Sequence, residues 1–337
     1  MEPLDPDPKQ TPAPLAPPAG TVDEAGPARS ASQALQDAAT ASSPRHGFTS
    51  LAELLDMIKF EHTVFALPFA LLGAMGAAQG LPPLRTALWI LVAMVGARTA
   101  AMTFNRLVDM DVDAENPRTA SRALPAGRVS KAAAMALLGA GIILFGLAAG
   151  ALGPLTWALS PVALLIILGY SLCKRFTAWA HVVLGLSLSG APLGAWIAVS
   201  GRIEAPALWL SAGVLSWTAG FDILYSLQDE AFDRSKGLHS IPSRLGTRGA
   251  LLLSRAMHLL ALACWGVFNH QMGGHLLPWA AWGVVAAMLA REQWLVRSGD
   301  LTHIDQAFFT LNSLIGLVFF VGHALEYWLS RSLLAPL

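Results

Sequence analysis

The chain has 337 residues, of which 54% are hydrophobic and only 13% are charged, and its mean hydropathy is +0.52. This composition is typical of a polytopic membrane protein and excludes an ordinary soluble domain. The formal net charge is zero and the basic residues are dispersed over loops, so no nucleic-acid partner is indicated. The lipid bilayer is therefore the expected surrounding of most of the chain.

The amino-terminal segment differs from the rest in composition. Residues 1–47 are rich in Pro, Ala, Ser and Asp and show no apolar periodicity. Such a segment buries too little apolar surface to offset the entropy of ordering. We therefore expect a disordered tail over residues 1–47 and a membrane domain over residues 48–337. The acidic residues of the tail argue against a mitochondrial transit peptide, which is rich in arginine and poor in acids.

After the tail, apolar stretches of about 20 residues follow one another, which is the length that crosses a hydrocarbon core of about 30 Å. An all-α membrane bundle of about nine helices is predicted. The spans lie near residues 55–78, 84–108, 132–173 (two spans), 178–199, 206–227, 248–269, 276–294 and 304–329. Basic residues concentrate in alternate connections, which predicts that the ends of the second and sixth spans face the cytoplasm.

Carboxylates recur at those two ends. The residues, each four positions from the next, are Asn105, Asp109 and Asp113 in the first motif and Tyr225, Asp229 and Asp233 in the second. On a helix, each set falls on one face. Clustered carboxylates repel one another, so the motifs are expected to bind a divalent cation. Mg²⁺ is favoured because it typically combines one or two carboxylates with a substrate phosphate. The expected metal ligands are Asn105, Asp109, Asp113, Asp229 and Asp233.

Two charges lie inside the spans themselves. Arg98 precedes Asn105 by seven residues, and Asp222 precedes Asp229 by seven. Seven residues are about two helical turns, so each charge should lie below its motif and look into the bundle. Charges inside a membrane are costly and usually line functional cavities. A structural ion pair between Arg98 and Asp222 is the alternative.

Five basic residues lie next to the acidic motifs, namely Arg118, Arg122, Lys174, Arg175 and Lys236. One arginine can donate two parallel hydrogen bonds to phosphate oxygens, and lysine acts as a point charge. This set is therefore expected to bind a diphosphate. The other basic loop residues need no role beyond orienting the chain in the membrane. Asp111 lies about 200° from its neighbouring carboxylates on a helix and is left out of the predicted site.

These residues resemble the UbiA superfamily of intramembrane aromatic prenyltransferases. The motifs that carry the resemblance are Asn105-x3-Asp109-x3-Asp113 followed by Asn116-Pro117-Arg118-Thr119-x2-Arg122, then Tyr170-x3-Lys174-Arg175, and finally Tyr225-x3-Asp229-x3-Asp233-x3-Gly237-x2-Ser240-x-Pro242. Within the superfamily, the stretch from Phe221 to Pro242 is most similar to the 4-hydroxybenzoate polyprenyltransferase branch, including its relatives in bacterial menaquinone pathways.

The resemblance implies transfer of a polyprenyl group from polyprenyl diphosphate to a hydroxylated aromatic acid in quinone biosynthesis. The acceptor is expected to be 4-hydroxybenzoate, with a dihydroxynaphthoate as the alternative. The implied location is the bacterial inner membrane, with the active site facing the cytoplasm and with lid loops that exclude water. A transporter with an acidic cation site is the alternative from another class, although it would more often place its charges near mid-membrane.

The resemblance also assigns roles to particular residues. The implied catalytic carboxylates are Asp109, Asp113, Asp222, Asp229 and Asp233. The implied substrate-binding residues are Arg98, Asn105, Arg118, Arg122, Tyr170, Lys174, Arg175, Tyr225 and Lys236. Of these, Asp222 or a carboxylate oxygen of the second motif that does not bind metal is the expected base for the ring proton. Arg98 is expected to bind the acceptor's carboxylate or to tune that base.

Overall fold

The computed structural model of the protein describes Glu53, Leu54, Met57 and the ranges 63–297 and 310–334. The predicted disorder of residues 1–47 and the start of the first span lie outside these residues and stay predictions. Within the ranges 63–297 and 310–334 there are eleven α-helices in chain order, namely α1 (Thr63–Ala78), α2 (Leu84–Val108), α3 (Met110–Glu115), α4 (Lys131–Leu152), α5 (Pro154–Cys173), α6 (Ala180–Ser200), α7 (Ala205–Tyr225), α8 (Glu230–Ser235), α9 (Ile241–Gln271), α10 (Leu276–Leu295) and α11 (Asn312–Leu334). A 3₁₀ turn, Ser226–Asp229, joins α7 to α8.

The predicted all-α membrane fold is confirmed. In the part of the chain that the structure describes, seven segments are long and apolar enough to cross a membrane, and they contain α2, α4, α5, α6, α7, α9 and α11. Helix α1 is apolar but shorter, and α10 is not among the seven. Each predicted span overlaps a helix of the described residues, whereas nine membrane crossings stay a prediction.

Local sequence determines where several helices begin. Gly153, with a φ of 144°, separates α4 from α5, and Pro154 opens α5 at a position where its missing N–H costs nothing. The Ser130 side chain accepts a hydrogen bond from the backbone N–H of Ala133 and caps α4. Ser240 and Ser243 form a capping box that starts α9 directly after the second acidic motif.

One side of the bundle is filled by aromatic side chains. Phe69 of α1 stacks on Trp265 of α9, with ring centroids 5.3 Å apart. Trp217 of α7 and Phe319 of α11 pack on the same pair of rings. Such contacts contribute about 0.5–1.5 kcal/mol each beyond area burial. This packed side holds α7 in place and leaves the opposite side of α7 free to border a cavity.

Small residues bring α2 and α4 together on the cavity side. A Cβ added at Gly96 would lie 2.6 Å from the backbone nitrogen of Phe145, and one added at Gly141 would lie 2.8 Å from that of Ala100. Only glycine permits this approach of two backbones, which is a common form of helix contact in membranes. The contact fixes the part of α2 that leads to the first acidic motif.

Candidate active site

A cavity of about 600 Å³ lies between α1, α2, α4, α5, α6 and α7. Along α2 it extends from Ile90 to Asn105, which is about 22 Å of helix by the usual rise. The end near Ile90 is apolar and reaches Leu152, the last residue of α4. The other end collects the predicted site residues, namely Arg98, Asn105, Asp109, Asp113, Arg118, Arg122, Tyr170, Lys174, Arg175, Asp222, Tyr225, Asp229 and Asp233. The cavity therefore combines a charged end with a long apolar arm.

The first acidic motif lies across a break between two helices. Helix α2 ends at Val108, Asp109 adopts φ −91° and ψ 4°, and α3 begins at Met110. The four-residue periodicity survives the break, because Asp109 N–H donates to Asn105 O at 2.9 Å and Asp113 N–H donates to Asp109 O at 2.7 Å. The Asn105 side chain also donates to Asp109 Oδ2 at 2.8 Å. The helix predicted to end at residue 108 does end there, and the motif residues beyond it still share one side.

The second motif is broken at the equivalent residue. Asp229 ends the 3₁₀ turn with φ −99° and ψ 3°, and α8 follows from Glu230. Asp109 and Asp229 thus share a sparsely populated backbone conformation that active-site residues often adopt. In each motif the chain turns at the first aspartate, and the carboxylates of both aspartates line the same cavity.

Arg118 joins the two motifs. It lies in the loop after α3 and donates from Nε to Asp229 Oδ1 at 3.0 Å and from a terminal nitrogen to Asp229 Oδ2 at 2.6 Å. Its guanidinium also lies 5.7 Å from the centre of the Tyr225 ring. A two-bond contact of this type fixes orientation as well as distance. The acidic ends of the second and sixth predicted spans therefore meet at one end of the bundle.

Other basic groups surround the remaining carboxylates. Arg122 donates to both oxygens of Asp113 at 2.7 Å, and Arg106 lies 3.9 Å from the same carboxylate. Lys174 lies 3.9 Å from Asp233. Asp113 and Asp233 therefore each lie beside a basic side chain. Asp229 differs from them because two nitrogens of one guanidinium, that of Arg118, donate to its two oxygens.

Arg175 and Lys236 complete the predicted basic set. A terminal nitrogen of Arg175 lies 3.9 Å from Asp109 Oδ1 and donates to the backbone oxygen of Val108 at 2.6 Å. Lys236 forms an ion pair with Glu115 of α3. It is the one predicted site residue that does not line the cavity. Its contact connects α3 with the chain after α8, at the outer edge of the site.

The electrostatics favour a cation at the acidic end. Burial and the nearby charge of Asp113 raise the pKa of Asp109 to about 6, against the opposite influence of Lys174, Arg175 and Arg106. Asp233 is 2% exposed, and its Oδ2 is buried without a hydrogen-bond partner among the described residues. An orphaned carboxylate oxygen of this kind is costly unless a cation or donor reaches it.

Within the described part of the chain, no three His, Cys, Asp or Glu side chains converge on one point that could hold a metal by themselves. That arrangement still fits Mg²⁺, because this ion is commonly bound by one or two carboxylates and completes its coordination with water and substrate phosphate. The residues present therefore suit a metal that arrives with a diphosphate.

Deeper in the cavity, Asp222 pairs with a residue that sequence analysis did not connect to it. His181 Nδ1 lies 2.6 Å from Asp222 Oδ2. This contact is compatible with the structural alternative of an ion pair between Arg98 and Asp222, which stays a prediction. Arg98 lines the cavity, as expected.

Sequence reasoning missed Arg106 and His181. Arg106 directly follows Asn105, about 100° around the helix, so its spacing placed it outside the motif face. His181 is an isolated histidine in an apolar stretch, which the sequence analysis had no reason to separate from packed histidines. Asp111 is exposed and does not line the cavity, in agreement with its exclusion.

Comparison with known proteins agrees with this architecture. Residues 66–314 match the model of the UbiA prenyltransferase family. The 4-hydroxybenzoate octaprenyltransferase of Idiomarina loihiensis is 33% identical over 257 residues, which cover 75% of this chain and 88% of that protein. The protein of the same name from Chromohalobacter salexigens is 32% identical over 256 residues, which cover 75% of this chain and 84% of that protein.

Solved structures share the fold. The apo structure of a UbiA homologue from Aeropyrum pernix superposes with a TM-score of 0.73 at 35% identity and covers 79% of this chain and 98% of that one. A UbiA homologue from Archaeoglobus fulgidus, bound to GPP and Mg²⁺, superposes with a TM-score of 0.62 at 20% identity. The match covers 80% of this chain and 99% of that one. The helical bundle and the matched relatives together identify the protein as a membrane-embedded prenyltransferase. The chain belongs to the UbiA prenyltransferase family.

Proposed function

We propose that this prenyltransferase moves a polyprenyl group from polyprenyl diphosphate to the ring of a hydroxylated aromatic acid, with Mg²⁺ as its cofactor. The main support is the meeting of both acidic motifs at the charged end of a cavity whose other end is apolar. The relatives' names give 4-hydroxybenzoate as the first acceptor to test. A dihydroxynaphthoate is the second. Family membership favours this enzyme over the transporter alternative.

The proposed location is the bacterial inner membrane, with the acidic end of the cavity at the cytoplasmic face, because the basic loops lie at that end. The loop after α3 brings Arg118, Thr119 and Arg122 to the cavity. This loop and the one before α9 are the proposed lids, which would exclude water while the allylic bond is broken.

At the charged end, Asp109 and Asp113 on one side and Asp229 and Asp233 on the other would hold the cation. When bound, Mg²⁺ stabilises the negative charge that develops on the diphosphate as the allylic C–O bond breaks. Lys174 and the neighbouring arginines supply further positive charge to the same group. The Archaeoglobus homologue bound to GPP and Mg²⁺ supports this arrangement.

The acceptor is proposed to lie deeper, beside Arg98 and Asp222. Arg98 would bind its carboxylate. The ring carbon ortho to the hydroxyl forms a bond to the allylic carbon, and the C–O bond breaks with its electron pair going to the diphosphate. The ring carbon then loses its proton to Asp222, which restores the aromatic system. Asp222 lines the cavity and retains 22% of its side-chain exposure, so it is accessible for this transfer.

The apolar arm is proposed to hold the polyprenyl tail. Gly190 and Gly194 of α6 line this arm, and a Cβ at either would meet nothing within 4 Å. A side chain added there projects into space that the tail would use. The arm rather than the charged end should therefore govern which tail lengths are accepted.

Replacing Gly194 by Leu is expected to lower transfer from a long polyprenyl diphosphate by roughly 5- to 150-fold, the effect of about 1–3 kcal/mol of overpacking. Transfer from geranyl diphosphate, whose short tail ends nearer the charged end, should fall much less. The measurement compares kcat/KM for both donors. Gly283→Leu is the matched control, because Gly283 is exposed on α10 and also has open space around it. Equal losses for both donors would contradict the assigned tail position.

The proposed function is tested with purified protein in lipid nanodiscs, polyprenyl diphosphate and Mg²⁺. We expect a prenylated aromatic acid with one of the two acceptors, 4-hydroxybenzoate or a dihydroxynaphthoate. Chelation by EDTA should stop the reaction, and added Mg²⁺ should restore it. The acceptor that gives the higher kcat/KM identifies the substrate. Absence of product with both acceptors would overturn the proposal.

A further inference from the structure

His181 is a fully buried histidine, 0% exposed, at the second position of α6. Both of its ring nitrogens are engaged. Nδ1 lies 2.6 Å from Asp222 Oδ2 on α7, and Nε2 lies 3.3 Å from the backbone nitrogen of Ile241, the first residue of α9. One imidazole ring therefore links three helices beside the cavity.

The bond from Ile241 determines where the ring proton lies. A backbone N–H can only donate, so Nε2 must accept and therefore carries a lone pair. The proton of a neutral imidazole is then on Nδ1, which donates to Asp222 Oδ2. This tautomer follows from the hydrogen-bond network. Asp222 Oδ2 is consequently the acceptor of this bond, and the Asp222 side chain lines the cavity.

The link also reaches the second acidic motif. The segment between Asp233 and Ile241 is tied down by His239 N–H, which donates to Lys174 O at 2.7 Å, and by the Ser240 capping box. Ile241 follows directly, and its N–H reaches His181. The ring therefore connects Asp222 to the same chain segment that leaves the metal motif, so the position of Asp222 is coupled to that of the charged end.

We propose that His181 is a positioning residue for prenyl transfer, which orients Asp222 to receive the proton of the aromatic ring. This inference rests on the proposed function. When the ring carbon has bonded to the allylic carbon and diphosphate has left with the C–O electron pair, the ring proton passes to the carboxylate of Asp222. His181 keeps its own proton throughout and contacts no reacting atom.

The test compares His181→Leu with His181→Gln. Leucine removes both hydrogen bonds, so kcat should fall about a hundredfold, the usual effect of a small misplacement of a catalytic group. KM for polyprenyl diphosphate should stay within about twofold, since the charged end is untouched. Glutamine has an N–H donor for Asp222 and an oxygen that can accept from Ile241, so it should recover most of the lost kcat.

A double variant adds a second criterion. Asp222→Asn alone should lower kcat by about 10²- to 10⁴-fold, the range for loss of a general base. In the His181→Leu background the same change should cost far less than it does alone, because both changes act on one group. Fully additive losses would show that His181 acts independently of Asp222 and would overturn the inference.

His323→Leu is the matched control for loss of a buried imidazole. His323 is 9% exposed on α11, bonds to the backbone oxygen of Phe319 at 2.9 Å, and does not line the cavity. It should retain kcat. A wild-type kcat in His181→Leu, or an equal loss in Leu and Gln variants, overturns the positioning role. Wild-type protein that transfers to no acceptor overturns the proposed function and the inference with it.

Discussion

Replacing Asp233 by Asn is expected to lower kcat/KM for prenyl transfer by about a thousandfold, equivalent to about 4 kcal/mol of lost charge stabilisation. The amide has the shape of the carboxylate but not its charge, so packing should be retained. Asp233 is buried at the charged end of the cavity, its Oδ2 has no hydrogen-bond partner among the described residues, and Lys174 lies 3.9 Å away. The measurement is steady-state transfer at saturating Mg²⁺.

Asp111→Asn is the control for this variant. Asp111 belongs to the first acidic segment of the sequence, but it is exposed and does not line the cavity. It should retain near wild-type turnover. If Asp111→Asn lost as much activity as Asp233→Asn, bulk charge at the membrane edge would matter and not the cavity carboxylates.

Arg98→Leu is expected to lower kcat/KM for the aromatic acid by at least about thirtyfold, since removing one partner of a desolvated charge pair costs about 2–5 kcal/mol. Arg98 lines the cavity about 10 Å along α2 from Asn105, which is too deep for a diphosphate held by the acidic motifs. KM for polyprenyl diphosphate should therefore change little. The measurement is a pair of substrate titrations, one for each substrate.

Arg98→Lys separates charge from geometry. Lysine keeps the positive charge but cannot form two parallel bonds to a carboxylate, so it should recover part of the lost kcat/KM. An Arg98→Leu variant whose donor KM rises as much as its acceptor KM would contradict an acceptor site at this depth.

The helices and the order of the motifs could be predicted because their signals are local. The second span was predicted at residues 84–108 and α2 has these bounds, since a mainly apolar stretch ends there, next to Asp109. The break between α4 and α5 followed from Gly153 and Pro154, whose backbone preferences do not depend on distant residues. The four-residue spacing of the acids predicted their common side in the same way.

Features that depend on tertiary contacts could not be predicted from the sequence. The pairing of Arg118 with Asp229 spans 111 positions, and the pairing of His181 with Asp222 joins α6 to α7. The backbone turns at Asp109 and Asp229 also depend on surrounding structure, because aspartate alone does not dictate a helix break. Lys236 lies next to the second motif in sequence, yet its side chain reaches Glu115 at the edge of the site.

The central claim is that both acidic motifs together bind one metal-bound diphosphate. Its most direct test is equilibrium binding of an unreactive thiolo analogue of geranyl diphosphate, titrated with and without Mg²⁺ in wild-type protein, Asp113→Asn and Asp233→Asn. We expect tight binding by the wild type only with Mg²⁺, and strongly weakened binding in both variants, one from each motif. Metal-independent binding, or wild-type affinity in either variant, would contradict a shared site.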